Sequence, residues 1–254
     1  TIVGHVTNSG KLVMVWNGDM IVNIHRDFLN TNGATQHAVA HITAPTSREG
    51  LSISKEINLP QYQNRTHPQS LATRLHLALQ SLLSTSQQGL QEQFDSTVGG
   101  NTVLFPFSGA YKKTPVQGMV AKLPVLHGTT STTSIMTHGF DPYLSEWSPY
   151  HGAQYAVLLS IAKLAALGGD IRKAYVSFQE YFEKLKTPNA WGKVVSALLG
   201  AYEAQHQLQI AAIGGKDSMS GSFMDLSVPP TLISFAVTTE HIKHILSPHF
   251  HQAN

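Results

Sequence analysis

Hydrophobic residues recur with two different periods along the chain, and the changes of period mark its organisation. Near the start three apolar runs, Ile2 to Val6, Leu12 to Trp16 and Met20 to Ile24, are separated by Asn8-Ser9-Gly10 and Asn17-Gly18. An Asn-Gly pair between apolar runs predicts a hairpin, because both turn positions must tolerate positive φ. The three runs therefore read as an antiparallel meander, too small to own a core and expected to close a preceding domain. From Asn30 to Pro68 the periodicity fades, prolines stand at 45, 60 and 68, and one short candidate strand remains at His37 to Ile42. That stretch reads as a linker over the surface.

Helical spacing then takes over. Leu71, Leu75, Leu77, Leu79, Leu82 and Leu83 predict a moderately amphipathic helix over Gln69 to Leu83, and a shorter one follows over Gln87 to Phe94. Beyond Asp95 the two periods interleave. Strands are predicted at Thr102 to Pro106, Gly118 to Lys122, Ser131 to Thr137, Ala174 to Phe178, Ile210 to Ile213 and Thr231 to Thr238, with helices at His151 to Leu167 and Ala190 to Gln207. The helix from His151 has the strongest pattern: Ala153, Ala156, Val157, Ile161, Leu164 and Leu167 share one face, and Gly168-Gly169 stops it. This alternation predicts one α/β unit without internal repeats. The expected organisation is a meander over 1–29, a linker with a helix over 30–90, an α/β domain over 91–246 and a tail over 247–254.

Composition narrows the function classes. With 254 residues, 42% of them hydrophobic, the chain can bury a sizeable core. Lys and Arg total 17 against 15 Asp and Glu, a net charge of +2, which leaves no electrostatic footprint for a nucleic-acid backbone. There is no cysteine, which excludes disulfides, thiolate metal clusters and a cysteine nucleophile within this chain. No apolar run approaches the roughly 18 residues needed to span a bilayer, so a soluble, cytoplasmic protein with no membrane partner is expected. The chain opens at Thr1 inside an apolar run, the pattern expected of a segment cut from a longer protein.

Two stretches carry candidate chemistry. In Phe94-Asp95-Ser96-Thr97-Val98-Gly99-Gly100 a carboxylate precedes small residues and a glycine pair. Such a loop lets backbone N–H groups approach phosphate oxygens while the acid holds Mg²⁺ against them; a simple turn capped by Asp95 is the alternative. In Ile213 to Gly221 two glycines, Lys216, Asp217, Ser218 and Ser220 follow a short apolar run, without the spacer of a Walker A motif. Lys216 suits neutralisation of phosphate charge, Asp217 a magnesium ion, and the hydroxyls donation to phosphate oxygens, although a purely structural loop is also consistent. Gln179 and Glu180 follow the predicted strand Ala174 to Phe178, where α/β proteins often place ligand contacts, and aromatic packing with two solvated polar residues is an equally ordinary reading. His138 and His151 flank an aromatic-rich loop, His249 and His251 lie in the tail, and no histidine spacing matches a zinc site.

Five stretches, Phe94 to Gly100, Thr114 to Pro124, Ser145 to Pro149, Ser177 to Phe182 and Gly214 to Gly221, resemble in that order the second half of the formylglycinamide ribonucleotide amidotransferase (phosphoribosylformylglycinamidine synthase) family. The Gly-Gly-Lys-Asp-Ser-Met-Ser run is the most specific. The resemblance implies an aminoimidazole-ribonucleotide-synthetase-like α/β domain whose mixed sheet pairs with a partner's to form a barrel. It implies a part of an ATP-dependent ligase of purine synthesis, in which ATP activates the amide oxygen of the substrate and ammonia from glutamine displaces phosphate. It further implies ATP or ADP with Mg²⁺ as cofactors, Gly99, Gly100, Gly214, Gly215, Lys216, Ser218 and Ser220 near the nucleotide, and Asp95 and Asp217 near the metal. No residue of this chain is assigned to catalysis.

The implied partners are the remaining domains of the enzyme, namely the first synthetase half and a cysteine glutaminase. Alone, the chain is expected to be inactive and to form a homodimer that imitates the enzyme's internal twofold. Many relatives carry a Glu and an Asn four residues apart on the central helix; here Leu158 and Ala162 correspond, so either Asp95 and Asp217 hold the metal with water or, as expected here, the auxiliary nucleotide binds weakly or not at all. A scaffold that pairs domains around a structural nucleotide, or none, is the alternative. A small-molecule kinase or selenophosphate synthetase of the same superfamily fits less well, since the latter needs an early Cys or selenocysteine.

Overall fold

The computed structural model describes residues 1–31, 37–45, 70–80, 84–94 and 100–249. The chain divides into two compact units, Thr1–Val39 and Ala40–Asn254. In the first, β1 (Lys11–Trp16) and β2 (Asp19–His25) form an antiparallel hairpin, with Trp16 opposite Asp19 and only Asn17-Gly18 between them. Both turn residues have positive φ, 52° and 93°, as the Asn-Gly signal requires. A short helix, α1 (Arg26–Thr31), follows. The expected third strand is missing: Ile2 to Val6 carries no strand, and His37 to Ile42 likewise forms none.

The second unit includes two short helices, α2 (Leu71–Leu79) and α3 (Gln88–Phe94). Its frame is a six-stranded mixed sheet built from β3 (Thr102–Leu104), β6 (Met119–Lys122), β7 (Thr132–Gly139), β8 (Tyr175–Tyr181), β9 (Ala211–Ser218) and β12 (Thr231–His241), in the order β3-β6-β7-β12-β8-β9. Four very short strands, β4 (Phe107–Ser108) with β5 (Thr114–Pro115) and β10 (Ser222–Phe223) with β11 (Leu226–Ser227), make two small ribbons. Strand β12 lies antiparallel between β7 and β8, while β9 runs parallel to β8. The sheet is open, with β3 and β9 at its edges, and no closed barrel forms among the described residues.

Three helices join these strands, and each starts at a polar residue followed by proline. Asp141 accepts from the Tyr143 and Leu144 N–H groups to start α4 (Pro142–Trp147), Ser148 accepts from His151 to start α5 (Pro149–Ala166), and Thr187 accepts from Ala190 to start α6 (Pro188–Leu208). The cap satisfies a donor that the first turn leaves open, and proline costs nothing where no N–H is needed. Helix α4 replaces the loop expected there. Gly168, at φ 89°, ends α5 as predicted.

Every apolar residue assigned to the inner face of α5, from Ala153 to Leu167, is buried. That face packs on alternate residues of the central strands, including Ile135, Val176, Leu232 and Ala236. A Cβ on Gly139 would meet the Ala156 carbonyl, and one on Gly200 the Tyr150 carbonyl, so both contacts need glycine. Three buried hydroxyls at this contact are paired: Thr137 donates to the Ser160 carbonyl at 2.6 Å, and Ser160 and Ser234 share a 2.9 Å bond. The other face of the sheet carries Met119, Met136, Tyr175 and Tyr181, all exposed by more than a third.

Candidate functional site

The stretch 214–218, read as part of a glycine-rich run, lies within edge strand β9. Its partner β8 dictates this. Phe178, Gln179, Glu180 and Tyr181 pair in parallel with Gly215, Lys216, Asp217 and Ser218, after one register shift near Ile213. A Cβ on Gly215 would run into the Phe178 carbonyl oxygen, so glycine permits the close approach. The Gln179 amide donates to the Lys216 carbonyl at 3.2 Å and ties the two strands together.

Residues after β9 are tied to the end of β8. Phe182 donates to the Ser218 carbonyl and Gly221 donates to the Phe182 carbonyl, both at 2.9 Å. The Ser218 and Ser220 hydroxyls lie 2.8 Å apart. Lys216 and Asp217 are exposed, and neither forms an ion pair among the described residues. In register with Asp217 stands Glu180, half-buried; burial first, and the Asp217 charge second, push its carboxyl above the usual range. The ends of two parallel strands thus present a cation, two carboxylates and two hydroxyls. Ligands of α/β sheets gather at such carboxyl ends.

The other predicted residues fall elsewhere. Asp95 and Gly99 lie outside the described residues, while Gly100 is exposed and closely precedes β3. Strand β3 is the edge opposite β9, so four strands separate Gly100 from Lys216 in sheet order. Leu158 is 54% exposed and lines a groove between α5 and α6 with Tyr155 and Leu208; Ala162 is exposed too. His138 belongs to β7 rather than to a loop, with its ring 6.3 Å from that of Phe235. Burial and the Lys163 charge lower its pKa, and burial lowers that of Lys163. Among the described residues no group of three or more His, Asp or Glu side chains could hold a metal.

The class defined by these features is an α/β unit with a mixed sheet, two long helices on one face and a glycine-bearing edge strand. The same fold occurs in PurL. The structure titled "T. maritima PurL complexed with ATP" matches with a TM-score of 0.59 at 13% identity, over 95% of this chain and 33% of that one. The structure of PurLQS from Thermotoga maritima matches at 0.62, also at 13% identity, with the same shares of 95% and 33%.

In sequence, the chain is similar to phosphoribosylformylglycinamidine synthase subunit PurL of Nitrobacter hamburgensis, 25% identical over 236 residues, 91% of this chain and 28% of the relative. The Thermococcus sibiricus subunit is 21% identical over 250 residues, 98% of this chain and 31% of its own length. No family model matches. The resemblance drawn from the five motifs therefore extends across most of the chain, which spans only about three-tenths of these relatives (28% and 31%).

Proposed function

We propose that this chain is a portion of a PurL-type ATP-dependent ligase that converts formylglycinamide ribonucleotide to its amidine, and that the carboxyl ends of β8 and β9 form a nucleotide-phosphate site. The observation that carries this reading is the placement of Lys216, Asp217 and Ser218 beside Glu180 at those strand ends, on the fold shared with PurL. Solved PurL structures include complexes with ATP and ADP.

Lys216 would neutralise phosphate charge, and the Ser218 and Ser220 hydroxyls would donate to phosphate oxygens. Two adjacent carboxylates suit Mg²⁺, which is commonly held by one or two acids together with phosphates and water. Asp217 and Glu180 would be its ligands, and the ion would supply charge neutralisation at the transferring phosphoryl group. Asp95, Gly99 and Gly100 would contribute a second phosphate loop. Soaking crystals with ADP and magnesium tests the assignment: density at the Lys216 end of β9 is expected, and density elsewhere overturns it.

A second reading is favoured by the open sheet face. Exposed Met119, Met136, Tyr175 and Tyr181 would be covered if two such sheets paired, either with the enzyme's other synthetase half or in a homodimer. The chain would then act as a pairing scaffold. Light scattering at micromolar concentration should give a dimer mass; a monomer counts against the homodimer. No helix among the described residues is long and apolar enough to cross a membrane, in keeping with a cytoplasmic location for such an enzyme.

A further inference from the structure

Gly192 is buried in the second turn of α6, a helix-interior position where glycine is an unfavourable choice. A close approach explains it. A Cβ on Gly192 would run into the His41 carbonyl, with the Ile42 nitrogen 3.2 Å away. The atoms nearest that point are all backbone atoms of His41 and Ile42, so this stretch of chain is what covers Gly192. The same stretch is tied a second time: the His41 N–H donates to the Pro188 carbonyl at 2.9 Å. Neither contact involves the Lys216 site.

Side chains of the covering segment add little to this seat. Residues 37–45 form neither helix nor strand, and all of them are exposed, Val39 by 62% and Ile42 by 51%. The apolar burial that fastens α5 and α6 to the sheet is therefore lacking here. Segments held by so few buried contacts belong to the least stable parts of a fold and open while the core stays closed.

The segment also has something to close. His41, Thr43, Ala44 and Pro45 form one wall of a cavity of about 440 Å³, and Trp147, Pro149 and Pro230 belong to its other walls. The boundary between the two compact units falls between Val39 and Ala40, so the seated residues are the first of the second unit.

We propose that Ala40–Pro45 is a releasable strap, seated at Gly192 through its backbone, whose opening turns the cavity into an open groove. Seated, it anchors the chain at its entry to the Ala40–Asn254 unit. Released, it lengthens the free connector and leaves α5, α6 and the sheet intact.

Native-state hydrogen exchange on the whole chain tests this. The His41 amide should exchange more slowly than a free amide, yet at least about 100-fold faster than the Leu164 amide in α5, because the strap opens alone. Gly192→Ala should abolish the His41 protection and speed elastase cleavage within residues 37–45 by at least about tenfold, as loss of one backbone hydrogen bond implies. Its melting temperature should be no lower, since alanine suits a helix better than glycine. His41→Pro deletes the donor from the strap side and should give the same faster cleavage with α6 untouched. His41 exchanging in step with Leu164 overturns the proposal, because the segment would then open only with the core. So does an unprotected His41 in wild type, an unchanged cleavage rate in both variants, or a melting temperature lowered by several degrees in both.

Discussion

Strands β12 and β9 flank the same neighbour, β8, yet they meet opposite environments. Along β12 every second residue from Leu232 to Thr238 is buried, and Ser234 and Ala236 have no exposure at all. Along β9 nothing is buried; two glycines, a lysine and an aspartate stand in the open. The difference teaches a division of labour. A strand between two others, under a helix layer, is chosen for packing, whereas an edge strand is free to carry chemistry because its side chains support little else. Exposed charge on β9 also discourages edge-to-edge aggregation.

That contrast can be broken most forcefully in the layer over β12. Leu164→Ala removes a fully buried side chain between α5 and the sheet and should cost about 2–5 kcal/mol in a denaturant titration. Next comes Ser234→Ala, which strips the Ser160 hydroxyl of its 2.9 Å partner; a loss of about 1–2 kcal/mol is expected by the same measurement. Lys216→Ala and Asp217→Asn, on exposed β9, should shift stability by no more than about 0.5 kcal/mol. A large loss from either would mean that β9 is structural after all.

The smallest effect is one of pH. Burial and Asp217 raise the Glu180 carboxyl above its unfolded value, so folding takes up a proton there. Stability from this group is therefore intact below the unfolded carboxylate range and falls as pH rises through the interval up to the folded value. Glu180→Gln has no such charge to bury. Its stability relative to wild type should be level in acid and improve as pH rises; thermal melts from pH 3 to 8 would show a flat difference if neither burial nor Asp217 raises this carboxyl.

Much of the buried half was legible in the sequence. The apolar spacing of α5 named its inner face correctly, and Asn17-Gly18 named its hairpin, because both signals are local and repeat a period. Ile2 to Val6 misled, since alternation shows that a strand is permitted and only a partner makes one. Helix α4 was hidden by its aromatic, proline-flanked sequence, which composition alone cannot separate from a loop.

At the candidate site the residue types were legible while their setting was not. Nothing local marks Gly214 and Gly215 as strand residues; close approach to the Phe178 carbonyl decides it. The pairing of Glu180 with Asp217 depends on a register across 37 residues of chain, shown also by the Gln179–Lys216 bond. Leu158 and Ala162, the positions expected to weaken a metal site, are both exposed on α5, with Leu158 in a groove beside α6.

The central claim is that the Lys216 end of β9 binds nucleotide phosphate. Calorimetric titration of ADP with magnesium into wild type, Lys216→Ala and Asp217→Asn tests it most directly. The account predicts magnesium-dependent binding by wild type and at least about tenfold weaker binding by both variants with melting temperatures unchanged, as loss of one charge-assisted contact implies. Absence of binding by wild type, or equal binding by all three proteins, would contradict it.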